Sequence, residues 1–157
     1  MSLDPTARLA NCMDSIKKYL IDNIYTTEEI QVSFDKVLNT PDIQGVTVDR
    51  WVGVKFGPVT MDSLSSLTLD LFLCTRKDPE YFRQAQLRDT VMGYLTDNTK
   101  TDGMARIPLY RSYANQPWEL LSGGFIVQDV IEGPQYELED LTKVKQLTCI
   151  LRWGSKI

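Results

Sequence analysis

Residues 67–80 read Leu-Thr-Leu-Asp-Leu-Phe-Leu-Cys-Thr-Arg-Lys-Asp-Pro-Glu, and the fold follows from this stretch. Leucine occupies every second position from Leu67 to Leu73, which is the period of a β-strand with one buried face. The Asp78-Pro79 pair then predicts a helix start, because aspartate caps free backbone N–H groups and proline fits the first helical position. The sequence therefore predicts a strand that turns directly into a helix.

Two amphipathic helices are predicted, and each begins at an Asp-Pro pair. After Asp4-Pro5, apolar side chains recur at spacings of three and four residues, at Leu9, Met13, Ile16, Leu20 and Ile24. After Asp78-Pro79, the predicted apolar stripe consists of Phe82, Ala85, Val91, Tyr94 and Leu95, with Leu87 at its edge. Each helix needs a partner surface that covers its apolar side.

Other stretches have the alternation or the composition of β-strands. They are residues 30–34, 46–56, 124–130 and 147–153. Gly57-Pro58 follows the second of these and suits a hairpin connection to the leucine-rich strand. Strands that follow one another without an intervening helix favour an antiparallel sheet. We therefore predict an α+β fold, with a mainly antiparallel or mixed sheet of about five strands and two amphipathic helices packed on one face.

The composition predicts a single soluble domain over residues 1–157 and excludes several kinds of chemistry. The 43% hydrophobic and 24% charged residues are typical of a globular domain. No apolar run approaches the ~18 residues that a membrane-spanning helix requires, and no signal-peptide pattern opens the chain. Histidine is absent, which excludes a Ser-His-Asp triad, a histidine metal site and imidazole acid–base catalysis. The formal charge is −4, whereas nucleic-acid-binding domains usually have an excess of basic residues.

The remaining groups that could carry chemistry do not form a recognisable motif. Cys12, Cys74 and Cys149 lie far apart beside apolar residues, so we predict buried thiols and a reducing compartment. Adjacent acids such as Glu28-Glu29 point apart, and Gly123-Gly124 lacks the context of a phosphate-binding loop. The sequence therefore predicts a protein that is not an enzyme, with no catalytic, metal or cofactor site. An enzyme that uses carboxylates, lysine or cysteine is an alternative.

Two irregular stretches are predicted as interaction arms. Residues 97–117 form a long loop, and loops beyond about 12–15 residues are uncommon in a compact domain unless functional or disordered. Its candidate contact residues are basic or aromatic: Lys100, Arg106, Tyr110, Arg111 and Tyr113. Residues 132–140 form an acidic loop, with the candidate contacts Glu132, Glu137, Glu139 and Asp140. Two solvated surface loops without a partner are the alternative interpretation.

Trp51 is a further candidate contact residue. It lies on the face of its predicted strand that is opposite Val52 and Val54. A large aromatic side chain at this position indicates one of two arrangements. It marks a contact surface, since tryptophan is enriched at interface hot spots, or it packs under a loop. The sequence leaves both arrangements open.

The strand, turn and helix around Asp78-Pro79 resemble the central unit of tailed-bacteriophage tail terminator proteins. The unit consists of Leu-Asp-Leu-Phe-Leu-Cys-Thr-Arg-Lys-Asp-Pro-Glu at residues 69–80 and the helix of residues 86–95. The strand of residues 51–56, the opening amphipathic helix and the closing strand after a long insertion also follow the order of that family. The resemblance in element order covers most of the chain, whereas the motif itself is short.

This resemblance implies a structural virion protein. Tail terminators are small α/β subunits that form a ring, commonly a hexamer, on the completed tail tube. They end tube polymerisation and provide the surface that joins the head connector. The implied partners are other copies of the chain, the tail tube protein and head connector proteins, with DNA only as passing cargo and no membrane.

The implied location is the tail or neck of the virion, with the host cytoplasm during assembly. Two alternatives to a tail terminator stay open. The first is a head-completion or connector subunit of similar size. The second is a small cytosolic protein-binding domain, unrelated to phage, that docks a partner through the Trp51 face.

Overall fold

The leucine-rich stretch forms a central strand of a β-sheet, and the helix predicted after it is present. The computed structural model describes residues 9–34, 48–60, 64–111 and 119–154. Within these residues the helices are α1 (Leu9–Leu20) and α2 (Phe82–Leu95). The strands are β1 (Gln31–Ser33), β2 (Arg50–Thr60), β3 (Leu64–Thr75), β4 (Arg106–Arg111), β5 (Glu119–Glu137) and β6 (Lys143–Gly154). The fold is α+β, as the sequence predicts.

The strands of the described chain lie in the order β1-β2-β3-β6-β5-β4. β1 is parallel to β2, and the other neighbouring pairs are antiparallel, so the sheet is mixed. β3 and β6 pair without a register shift from Leu64–Gly154 to Thr75–Lys143. The 6 described strands exceed the predicted number, because β4 lies within residues that the sequence pattern assigns to a loop.

Both helices cover the same face of the sheet. On this face, the alternating leucines of β3 from Leu67 to Leu73 are fully buried, as their period predicts. They share one core cluster with side chains from both helices and from the neighbouring strands, including Ile16, Leu20, Val52, Leu87, Val91, Phe125 and Leu151. Burial of this apolar surface holds the helices against the sheet.

Asp78 caps α2 across an intervening turn. Its carboxylate accepts hydrogen bonds from the backbone N–H groups of Arg83 (2.8 Å) and Gln84 (2.9 Å). The 3₁₀ turn Pro79–Tyr81 separates this cap from α2 and contains Glu80 and Tyr81 with positive φ. The capping role is therefore confirmed, but the helix begins later than the sequence pattern predicts.

The buried side of α2 differs in part from the predicted stripe. The buried side chains are Gln84, Leu87, Val91 and Leu95, at the spacing of one helical face. The predicted stripe is wrong at Phe82 and Ala85, which are exposed. Val91 and Leu95 of the predicted stripe are buried, so the prediction holds in the second half of the helix.

α1 buries the central part of its predicted stripe. Ile16 and Leu20 are buried, and so is Ile24 in the π-helical turn Ile21–Thr27 that continues α1. Leu9 is exposed. The Asp4-Pro5 start of this helix lies outside the described residues.

The predicted long loop of residues 97–117 contains strand β4. Pro108 is compatible with β4 because this strand is the last at its side of the described sheet, and an edge strand pairs on one side. Gly124 on β5 lies opposite Pro108, and a Cβ at Gly124 would come 2.7 Å from the backbone oxygen of Ile107. The proline and the glycine therefore accommodate close strand pairing, although in the sequence they indicate a loop.

The predicted acidic loop of residues 132–140 is mostly strand as well. β5 extends to Glu137 and pairs with β6 up to Lys143, which leaves a short turn between the two strands.

Gly57-Pro58 lies inside β2, at a register shift between Phe56 and Val59, and not in the predicted hairpin connection. Such bulges are sites where strands accept glycine and proline.

Candidate functional site

The basic candidate residues lie along the chain from the end of α2 to β4. Lys100 is exposed in a turn that is closed by a hydrogen bond from the Asp97 N–H to the Gly103 carbonyl. The Arg106 guanidinium pairs with the Asp102 carboxylate, with 3.1 Å between Nη2 and Oδ2. The Arg111 backbone pairs with Glu119, while the Arg111 side chain and Tyr113 lie outside the described structure. The surface here is less basic than the sequence suggests, because Arg106 has an acidic neighbour.

Tyr110 contacts α1 within the same chain. The Tyr110 backbone N–H donates a hydrogen bond to Ser15 Oγ over 2.8 Å. The Lys18 ammonium lies 5.3 Å from the centre of the Tyr110 ring, within the range of a cation–π contact. The sequence predicts Tyr110 as an anchor for another molecule, and the structure places it against its own first helix.

Glu132 also has its principal partners within the chain. Its carboxylate accepts a bidentate pair of hydrogen bonds from Arg88 on α2, 2.7 Å from Nε and 3.0 Å from Nη2. Lys145 on β6 lies 3.4 Å from the same carboxylate. Hydrogen bonding to Arg88 lowers the pKa of Glu132 from its ordinary value of 4.5 to about 2. Glu132 therefore joins α2 to the sheet.

The other acidic candidates lie at the turn between β5 and β6. Glu137 pairs with Lys143 on the adjacent strand, with 2.9 Å between Oε1 and Nζ. Asp140 accepts a hydrogen bond from the Thr142 backbone N–H (3.2 Å), and Glu139 is exposed. A hydrogen bond of 2.8 Å from Leu138 N–H to the Thr142 carbonyl closes the turn.

Two of these acids line a cleft that the sequence pattern does not reveal. The cleft has a volume of about 310 Å³ and lies between the β3–α2 turn and the β5–β6 turn. Glu137 and Asp140 form one wall, and Arg76, Lys77 and Pro79 form the other. The two turns are distant in sequence, and they meet because β6 lies between β3 and β5 in the sheet.

Trp51 is fully buried on the face of the sheet opposite the helices. It belongs to a small cluster with Val48, Cys74 and Val144, against which Leu138 of the β5–β6 turn packs. The second of the two predicted arrangements, packing under a loop, describes this position. The expectation that a partner docks through an exposed Trp51 ring is therefore wrong, because the ring contributes no accessible surface.

The described cysteine side chains are buried and protonated near neutral pH. Burial raises the pKa of the Cys12, Cys74 and Cys149 thiols to about 12, so each is protonated near neutral pH. Across residues 9–34, 48–60, 64–111 and 119–154, no three His, Cys, Asp or Glu side chains converge as metal ligands. No helix in those ranges is long and apolar enough to span a membrane.

The described candidate residues therefore differ in their surroundings. Trp51, Tyr110, Glu132 and Glu137 contact other elements of the chain, and Arg106 pairs with Asp102. Lys100, Glu139 and Asp140 lie on accessible turns. Comparison with known proteins gives no match, either to a family model or to a characterised protein.

Proposed function

We propose that the protein is a structural virion subunit that caps the tail tube of a tailed bacteriophage. In this proposal it forms a ring of identical copies, six by analogy with the tail terminators that it resembles. The ring ends polymerisation of the tube and offers the head connector a surface to join. The subunit acts in the host cytoplasm during assembly and then resides in the tail or neck of the virion.

The observation that carries this proposal is the strand–turn–helix unit on which the resemblance rests. β3 lies in the middle of the described sheet, Asp78 caps the following helix, and α2 packs back on the core through Leu87 and Val91. This strand, turn and helix support the proposal.

The surface chemistry supports a role in assembly. Arg106, Glu132 and Glu137 form ion pairs within the chain. The exposed candidates Lys100, Glu139 and Asp140 lie at turns. Residues of this kind can meet a second protein without rearrangement of the core. Because Trp51 is buried, the competing proposal of a small binding domain that docks through this side chain loses its main support.

A tube-assembly experiment tests the proposed function. The tail tube protein from the same phage genome is polymerised with and without the purified protein, and tube lengths are measured by electron microscopy. We expect shorter tubes of narrower length distribution, each with added density at one end. Equal length distributions together with bare tube ends in both samples would contradict the proposal.

A further inference from the structure

Ser15 is a polar side chain on the buried side of α1. It is fully buried, and a hydroxyl in such a position costs free energy unless it forms hydrogen bonds. Its Oγ accepts a hydrogen bond of 2.8 Å from the Tyr110 N–H. The same Oγ lies 3.2 Å from the Tyr110 carbonyl oxygen and 2.7 Å from that of Asn11, so its one hydrogen is shared between two acceptors. Ser15 therefore engages both backbone polar groups of Tyr110.

These two groups belong to the outer edge of β4, which is the last strand at its side of the described sheet. Residues of an antiparallel strand direct their backbone groups alternately towards and away from the neighbouring strand. The Ala105 carbonyl faces β5, because it accepts a hydrogen bond of 3.2 Å from the Val127 N–H. By alternation, the backbone groups of Arg106 and Pro108 face away from β5. Tyr110, which follows the register shift in β4, also faces away, since α1 binds both of its groups.

The outer edge of β4 is closed to further strand pairing at two neighbouring positions. An open strand edge is a template on which a strand of another molecule pairs. Pro108 has no N–H to donate, and Ser15 engages the N–H and the carbonyl of Tyr110. The Lys18 ammonium, 5.3 Å from the centre of the Tyr110 ring, adds a second contact between α1 and this edge. α1 therefore takes the place that a neighbouring strand would have beside Tyr110.

The strand that this arrangement excludes follows from symmetry. Two copies of β4 can pair antiparallel about a two-fold axis, because each copy then presents the same backbone groups to the other. A second copy of the chain therefore needs no further complementary surface for this pairing.

We propose that α1 is an autoinhibitory cover of the outer edge of β4. Ser15 holds the Tyr110 groups with which β4 of a second copy would pair, and Pro108 withholds a donor beside them. Association of two copies through this edge requires α1 to move away from β4 first. The inference is independent of the proposed ring, since it concerns an edge that stays closed while α1 is in place.

A pair of substitutions opens the covered edge. Ser15→Ala frees both backbone groups of Tyr110, and Pro108→Thr restores an N–H donor on the outer side of β4. Sedimentation velocity over a range of concentrations measures the self-association of each variant and of wild type. We expect the association constant of Ser15→Ala/Pro108→Thr to exceed that of wild type about tenfold, because two bonding positions become free. Pro108→Thr alone should stay near the wild-type value, since Ser15 still engages Tyr110.

Two controls separate edge pairing from aggregation of a weakened fold. Val91→Ala removes buried apolar volume from α2 without a change at β4, so it should leave self-association at the wild-type value. Arg106→Pro, added to the double variant, removes another outward N–H from β4 and should reverse the gain. A gain that persists with Arg106→Pro, a gain that Val91→Ala shares, or no gain in the double variant would overturn the proposal.

Ser15→Cys replaces Ser15→Ala if alanine prevents folding. The thiol has a similar shape but is a weak acceptor, so Ser15→Cys/Pro108→Thr in reducing buffer should associate more strongly than Pro108→Thr alone. Equal association constants for these two variants would overturn the role of Ser15. The tube-length experiment decides the proposed function separately.

Discussion

Arg88 on α2 donates hydrogen bonds to both carboxylate oxygens of Glu132 on β5, 44 residues further along the chain. Two parallel N–H···O bonds fix the orientation as well as the distance of the groups. α2 is therefore attached to the sheet by a directional contact near its middle, in addition to its buried apolar side.

This pair makes stability depend on pH below the ordinary titration range of glutamate. Since the pKa of Glu132 falls from 4.5 to about 2 on folding, its stabilisation is fully present above pH 4.5 and is lost as the pH falls towards 2. The side chains are 34% and 35% exposed, so solvent screening limits the effect to about 1 kcal/mol. Urea unfolding of Glu132→Gln and wild type at pH 7 and pH 2.5 measures the difference.

We expect the two proteins to differ at pH 7 and the difference to become smaller at pH 2.5, where Glu132 is protonated in the unfolded chain but still partly ionised in the folded one. Glu139→Gln serves as the control, because Glu139 is exposed beyond the end of β5. A constant difference between Glu132→Gln and wild type at both pH values would contradict the proposed role of the ion pair.

Loss of the Asp78 cap should destabilise the fold by about 2 kcal/mol. Asp78→Ala removes the acceptor for two backbone N–H groups and leaves the buried Thr75 hydroxyl, now 2.8 Å from Asp78 Oδ2, without that partner. Asp78→Asn keeps an acceptor oxygen and should lose less. Denaturant midpoints measure both variants, and equal stability of Asp78→Ala and wild type would show that the cap does not matter.

Two glycine-to-alanine changes should have opposite signs. Gly124→Ala places a Cβ 2.7 Å from the Ile107 oxygen, so β4 and β5 must separate and stability should fall by about 1–3 kcal/mol. Gly93 lies in α2 with no atom within 4 Å of its Cβ position, so Gly93→Ala should add about 0.5–1 kcal/mol through higher helix propensity. Thermal unfolding of the two variants distinguishes them, and two changes of the same sign would refute the expectation.

Trp51→Ala should cost about 3–5 kcal/mol of folding stability, because it empties the small core cluster under the β5–β6 turn. If Trp51 were instead a partner contact, the variant would fold normally and only assembly would weaken. Chemical unfolding and light scattering of the same samples separate the two roles.

The alternation of leucine from Leu67 to Leu73 was sufficient to predict β3 and its buried face. In a strand, successive side chains point to opposite faces of the sheet, so the residues that share a face are fixed. A helix can pack with different sides towards a sheet, and α2 buries Gln84 and Leu87 rather than Phe82 and Ala85 of the predicted stripe. β4 escaped prediction because Pro108 is acceptable only through its edge position, which depends on the finished sheet.

The candidate contacts were harder to predict than the fold. A sequence shows that Glu132 is acidic, but its partner Arg88 is identified only by the packing of α2 on the sheet. Likewise, the sequence shows that Glu137 is acidic, but its partner Lys143 is identified only by the pairing of β5 with β6.

The placement of β6 has a consequence for the order of folding. This strand joins β3 on one side and β5 on the other, so the two halves of the described sheet have no direct pairing until residues 143–154 are in place. During synthesis, the edge of β3 that pairs with β6 stays unpaired until β6 has been made. Such long-range pairing slows folding and exposes the chain to aggregation, so removal of β6 should abolish folding altogether rather than shorten the sheet by one strand.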